Sequence, residues 1–329
     1  MNYATKLCIV SMMSVFSVSS IGLVQAADTP IVSTGGVAYN IGVSGNSKFT
    51  YSDNVTLGGD AGTTNGNPYQ NSNDPNAKGN NIAIGRISLN GSSGGANVAL
   101  GSKTFLNGKG DYNFLGNFAA GFNSTISNTI AIGSFAGSGA TGNKNVWLGT
   151  GQAGGSTGNN TVLIGSNSKV DGNFNYGIGH NAELKGESNA VVGAYNHVTA
   201  NNTYVLGDHV DTTLNNAVVL GSQSTAESSD VVSTPSYTYA GGTVNFAGTA
   251  PVSTVSVGAT NQERTITHVA AGRVSADSTD AINGSQLYGA NQQIDNLYNK
   301  ISNIGKEANK GDARAAALAA LHPMQFDPD

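Results

Sequence analysis

Five histidines, one cysteine and one glycine–aspartate turn are the residues whose types could support chemistry in this chain. Bases or metal ligands must sit at matching positions to form one site. His180, His197 and His209 stand one, four and two residues after the preceding repeat glycine, so a repeating fold does not superpose them. His268 and His322 lie in segments of different character. Gly58-Gly-Asp-Ala-Gly62 has the composition of a calcium-binding turn but occurs once, without the nine-residue repetition such sites need. Cys8 falls inside an apolar leader, which leaves the rest of the chain without thiol or disulfide chemistry. No phosphate loop, zincin motif or nucleophile elbow is present. The reading is a non-enzyme without a metal or cofactor.

Composition narrows the class. The 329 residues carry 11% charged residues, a net charge of -5 and 45 Gly, which leaves no basic surface for a nucleic-acid partner. With 38% apolar residues the chain is also too hydrophobic for ordinary disorder. Residues 1–26 read as a secretory signal peptide: one Lys, then an uncharged apolar run, then Val24-Gln25-Ala26, with cleavage expected after Ala26.

A phrase ending in Gly recurs through the middle, as in Asn80-Asn-Ile-Ala-Ile-Gly85, Asn128-Thr-Ile-Ala-Ile-Gly133 and Asn160-Thr-Val-Leu-Ile-Gly165. Others begin at Asn202 and Asn216, and weaker copies end at Gly42 and Gly116. Successive glycines from Gly85 to Gly165 are 16, 15, 17, 16 and 16 residues apart, and from Gly165 to Gly221 the step is 14. Each phrase predicts a short strand whose branched residues, such as Ile82 and Ile84, share one face while Ala83 points to the other. Because both faces are apolar, both are expected to be buried. A second strand of smaller residues follows in each coil, near Ser88, Ala119, Ala136, Ser168, Ala182 and Ser224. The fold class is therefore an all-β solenoid of about eleven coils, roughly 50 Å long at the ~4.8 Å strand spacing. One strand face fills the coil, and the other calls for identical rods side by side. The expected head spans 27–225, with a polar insertion near 69–78.

Residues 226–283 lose the phrase and form a connector and neck, with Thr254-Val-Ser-Val-Gly258 as a strand candidate. From Leu287 a heptad places Leu287, Ile294, Ile301 and Ala308 on one seam position and Ala290, Leu297 and Ile304 on the other, a short coiled-coil stalk over 284–311. The stalk core is Ile294, Leu297, Ile301 and Ile304. The pattern permits more than two strands without counting them.

These residues resemble the trimeric autotransporter adhesins, the YadA-like surface fibres. Asn80–Ser88 is similar to that family's head phrase, and Arg264–Gly272 followed by Thr279–Leu287 is similar to its neck, with Arg264, Val269, Gly272, Asp280, Asn283, Gln286 and Leu287 as the motif residues. The resemblance implies a left-handed parallel β-roll head in a side-by-side homotrimer, then a neck and a trimeric stalk. It also implies export to the cell surface and an outer-membrane anchor. Residues 312–329 resemble only the lead-in to that anchor, so the chain is read either as truncated there or as attached through a partner. The implied function is adhesion to host matrix proteins such as collagen or fibronectin, or to other cells. The alternative is a structural fibre that promotes clumping or biofilm without a host receptor. The phrases at Asn80, Asn128, Asn160, Asn202 and Asn216 are the candidate ligand contacts, with Tyr112, Phe118, Phe122, Tyr195 and Tyr204 as possible aromatic ones.

Overall fold

Every apolar phrase becomes a three- to five-residue strand, because alternation lets one side chain enter the coil while its neighbours point out. The computed structural model describes residues 81–321 and, before them, 41–43, 55–58, 61, 63–64 and 67–68. Residues 1–26 with Ala26, the insertion near 69–78, Asn80 and His322 lie outside the described residues. Among the described residues one parallel sheet of 13 strands runs through the repeats, from Ile41–Val43 through Ile130–Ile132 and Tyr176–His180 to Val218–Leu220. Its last strand is Val255–Ser256, beyond the expected head boundary at 225. Opposite it, a four-stranded parallel sheet joins Lys169–Asp171, Glu183–Lys185, His197–Thr199 and Asp211–Thr212, and Thr125–Ser127 pairs with Thr141–Asn143. The first is called here the front sheet and the second the back sheet. The small residues expected to mark the second strand instead precede it or lie in the turns: Ser168 and Ala182 directly before a back strand, Ser88 and Ala136 in turns.

The core is one side chain thick. Ala83, Ala99, Leu115, Ala131, Trp147, Leu163, Val191, Val205 and Val219, each the second residue of a front strand, are buried, and so are Ile126, Val170, Leu184 and Val198 of the back strands. The expectation that both faces of the front strand are buried holds for only one face in a single chain. The branched residues flanking each second position point outward, and Ile84, Ile130, Ile132, Ile164, Ile178 and Leu206 are exposed.

Coil length has a structural cause. The 16-residue coils carry an additional pair of left-handed residues at the back corner, such as Leu89 with Gly91 and Phe105 with Asn107. The first of each pair turns inward, so Leu89, Phe105 and Ala153 widen the core. Gly137 occupies that place beside Trp147, where a Cβ would lie 2.6 Å from the indole Cε3.

Register corrects two weak copies. Phe114–Gly116 pairs with Val98–Leu100 and with Ile130–Ile132, so Gly116 is the third strand residue and Asn117, at φ 82°, takes the strand-terminal place. The steps of 15 and 17 thus become 16 and 16, since hydrogen-bonded coils must keep register. Gly42 likewise pairs with Thr56 in mid-strand.

The chain divides into two units, residues up to Val232 with Val252–Arg264, and Ser233–Pro251 with the residues from Thr265 onward. The second unit holds an antiparallel hairpin, Ser236–Tyr239 with Gly242–Asn245, and helix α1, Gly284–Ala320. α1 is 37 residues long with no buried residue, and its seam residues Leu287, Ile294, Leu297, Ile301 and Ile304 are all exposed in the single chain. An apolar stripe left open on a long helix calls for partner helices.

Candidate interaction surfaces

The candidate asparagines occupy one structural place. Asn128, Asn160, Asn202 and Asn216 have φ between 52° and 60° and are exposed or half-buried at the turn before the front strand. Ala96, Tyr112, Lys144, Phe174 and Ser188 take the same left-handed conformation in the other coils. Asn is therefore favoured there because its short amide tolerates that conformation, while its side chain remains available to solvent.

Sequence reasoning missed the next residue in each phrase. Asn81, Asn97, Asn113, Thr129, Asn145, Thr161, Asn175, Asn189 and Thr203 are buried in a column along the head. The Asn113 side chain accepts from Thr129 N–H at 3.0 Å, and its amide donates to the Ile126 carbonyl at 2.8 Å and to Asn97 Oδ1 at 3.0 Å. The signal was the polar residue just before each apolar triplet. Asn113→Ala leaves a buried N–H and a buried carbonyl without partners, at about 1–3 kcal/mol each. It should lower unfolding stability in urea by about 2–5 kcal/mol, whereas Asn128→Ala should cost no more than about 1–2 kcal/mol for its left-handed turn. Equal losses would refute the division between column and turn.

The turns after four of the front strands carry rings. Phe118 and Phe135 meet edge-on at 5.3 Å with Lys103 over Phe118, and Tyr195 stacks on His209 at 4.8 Å while touching His180 at 5.3 Å. His180 and His209, which the repeat does not superpose, thus both border Tyr195. His180 Nδ1 is 2.7 Å from Ser166 Oγ, and His209 Nδ1 is 2.8 Å from Asp208. Tyr112 and Tyr204 are exposed and Phe122 half-buried. Among the described residues no group of three or more His, Cys, Asp or Glu is arranged to hold a metal ion.

The outer side of the back sheet carries basic and acidic side chains. Lys169, Glu183, His197 and Asp211 stack in register, with His197 3.5 Å from Glu183 and 3.2 Å from Asp211. The Lys185 ammonium, 2.8 Å away, holds the Glu183 carboxyl below its usual range, and Lys185 is raised in return. Burial pushes Asp171 up, but hydrogen bonds from Lys169 and Thr157 outweigh it and leave its carboxyl below the usual range.

The neck residues do two jobs. Arg264 closes the last coil, donating to the Ser222 and Val257 carbonyls at 2.7 Å each and to Ser224 Oγ at 3.0 Å. The others form a knot at the start of α1. Asn283 caps the helix and donates to the Val269 carbonyl at 3.1 Å, while the Gln286 amide makes paired bonds with Gly272 at 2.7 and 3.0 Å. Arg273, which sequence reasoning passed over, grips Asp280 through Nε at 2.7 Å and Nη2 at 3.0 Å. Leu287 stays exposed.

The Arg273 guanidinium holds the Asp280 carboxyl below its usual range. A lowered carboxylate pKa stabilises above the unfolded value and is lost as pH falls through the folded one. The difference in neck stability between the native chain and Asp280→Asn should be constant at neutral pH and close below pH ~4. A difference that does not shrink as pH falls below ~4 would contradict the clasp.

Residues 265–310 match the family described as the coiled stalk of trimeric autotransporter adhesin. The autotransporter adhesin BtaE of Brucella suis biovar 1 (strain 1330) is 51% identical over 87 residues, 26% of this chain and 12% of that protein. The chain therefore matches about an eighth of that relative's length. A solved structure, the C-terminal YadA-like domain of BPSL2063 from Burkholderia pseudomallei, is 41% identical over 39% of this chain and 50% of that chain, with a TM-score of 0.30.

Proposed function

We propose that this chain is a YadA-like trimeric autotransporter adhesin and acts as an exported homotrimer that attaches cells to host matrix or to other cells through its β-solenoid head. The resemblance read from the sequence and the stalk match give the adhesin class. The domain reading that goes with it is a head from 27, a neck ending near 283, and a stalk along α1. The observation that carries the assembly is the front sheet: its outward residues form an apolar face that a single chain leaves open. Side-by-side chains would cover it and leave the polar turns and the back sheet outside. The same turn then recurs along three rods, and multivalency turns weak contacts into firm attachment. The turn asparagines Asn128, Asn160, Asn202 and Asn216 and the ring edge are the contacts we assign to this role.

The test is binding of the purified chain to immobilised collagen and fibronectin, alongside clumping of cells that display it. Saturable binding that weakens when Asn128, Asn160 and Asn202 are changed together to Gly, which keeps the turn, supports the host-matrix reading. Clumping without matrix binding would instead favour the structural fibre, a reading consistent with the basic and acidic side chains of the back sheet, which can pair with those of another rod.

A further inference from the structure

Gly116 has no reason within its own chain to be glycine. Its φ is not in the left-handed region, and a Cβ there would meet only Ile132 Cγ2 at 3.6 Å and Cγ1 at 3.8 Å, ordinary contact distances. Gly177, in mid-strand, differs: a Cβ there would lie 2.7 Å from the Leu163 side chain in the core. Leu100 and Ile132 hold the equivalent third position in the adjoining strands, so a side chain fits. Gly116 is buried between them and forms the floor of a notch in the outward face. Two residues earlier on that face stands Phe114, exposed and large. The strand thus offers a knob and a notch at one height.

The occupant is a second copy of this chain. The ten front strands from Ile82–Ile84 to Val218–Leu220, at ~4.8 Å spacing and three residues wide at ~3.3 Å, give a flat patch of about 500 Å², as large as the largest apolar patch of a typical monomer, which is often functional. When identical parallel rods close around a rotation axis, the contact is heterologous, so the first-position column of one copy meets the third-position column of the next at the same height. We infer that the Phe114 ring of each copy seats in the notch over Gly116 of its neighbour, fixing the axial register and the order of the copies. A slip by one coil would set Phe114 against Leu100 or Ile132, where no notch exists. This rests on the side-by-side assembly proposed above.

Cysteine pairing tests it, because Cys8 is the only native cysteine and can be changed to Ser. In that background Phe114→Cys with Gly116→Cys should, on mild oxidation, give a covalently closed three-chain species on a denaturing gel. Neither single variant should give one. A disulfide needs Cα atoms within about 7 Å, so the product reports direct apposition. If the parent chain has a three-chain mass but the double variant stays single-chain, or Phe114→Cys alone forms dimers, the pairing is wrong while the assembly stands. A single-chain parent would remove the assembly and this inference together. Should the cysteines disturb folding, a swap decides: Gly116→Phe should lower the melting temperature of the oligomer, and adding Phe114→Gly should restore most of it. No restoration would overturn the pairing.

Discussion

Gly165→Val should abolish the folded head. The strand-terminal glycines stack coil upon coil, and at Gly165 φ is +133°, a region that side chains rarely enter. A Cβ there would lie 1.7 Å from the Gly179 carbonyl oxygen, and one at Gly149 would lie 1.5 Å from that of Gly165. The obstacle is backbone, so no rotamer relieves it. The neighbouring coil must move, which breaks ladder bonds on both sides of the substitution. Changes of this kind belong to the tail of destabilisations above about 4 kcal/mol, against a total stability of about 5–15 kcal/mol for a domain. Because each coil depends on its neighbours, damage in one interrupts the array. Gly155→Ala is the control: its φ is +65°, but a Cβ there meets nothing within 4 Å. It should cost only the left-handed penalty of about 1–2 kcal/mol. Urea unfolding followed by circular dichroism separates the two, and a Gly165→Val chain within about 1 kcal/mol of the native one would contradict the close-packed ladder.

The second large effect concerns the open face. Ile132 and Ile164 project outward from the front sheet and are exposed in the single chain. Changing both to Asp should therefore cost one isolated chain little. In the assembly each carboxylate would be buried against its symmetry mates, and removing an unpaired ion from water costs several kcal/mol. The melting temperature should fall by more than about 10 °C, since each kcal/mol shifts a chain of this size by about 2–4 °C. Asn128→Asp with Asn202→Asp adds the same charge on exposed turns and should shift it by no more than about 2 °C, as surface changes usually do. Equal shifts for the two pairs would mean that the front face is not an interface.

Much of this architecture was legible in the residues. The phrase fixed the front strands, the heptad found α1, and Thr254–Gly258 contained the final strand. The inward face was harder to read. Alternation divides a strand into two faces but does not say which is inside, and here the smaller residues are the internal ones. Ala83, Ala99 and Ala131 look like weak core residues beside Ile82 or Ile130, yet they lie fully inside the coil, as Leu115, Leu163 and Val191 do in theirs. Trp147 fits because Gly137 yields. Spacing misled at Gly116, because a glycine one place early resembles a strand terminator, and only pairing with the adjoining coils reveals Asn117 in that role. The hairpin at 236–245 went unread because its alternating Ser-Tyr-Thr-Tyr carries no repeat phrase.

The candidate asparagines illustrate a different limit. Asn128 and Asn145 each open a phrase, and composition cannot tell the turn residue from the column residue. The column position demands a side chain that bridges two coils, while the turn position demands only tolerance of positive φ. Asn meets both demands, so its abundance reflects two physical requirements superimposed on one letter.

The measurement that bears most directly on side-by-side assembly is the solution mass of the purified chain by light scattering. A mass near three times that of one chain, each at most 33.3 kDa, is the predicted result. A stable single-chain mass at micromolar concentration would contradict it, because the apolar front face and the seam of α1 would then have to remain open to water.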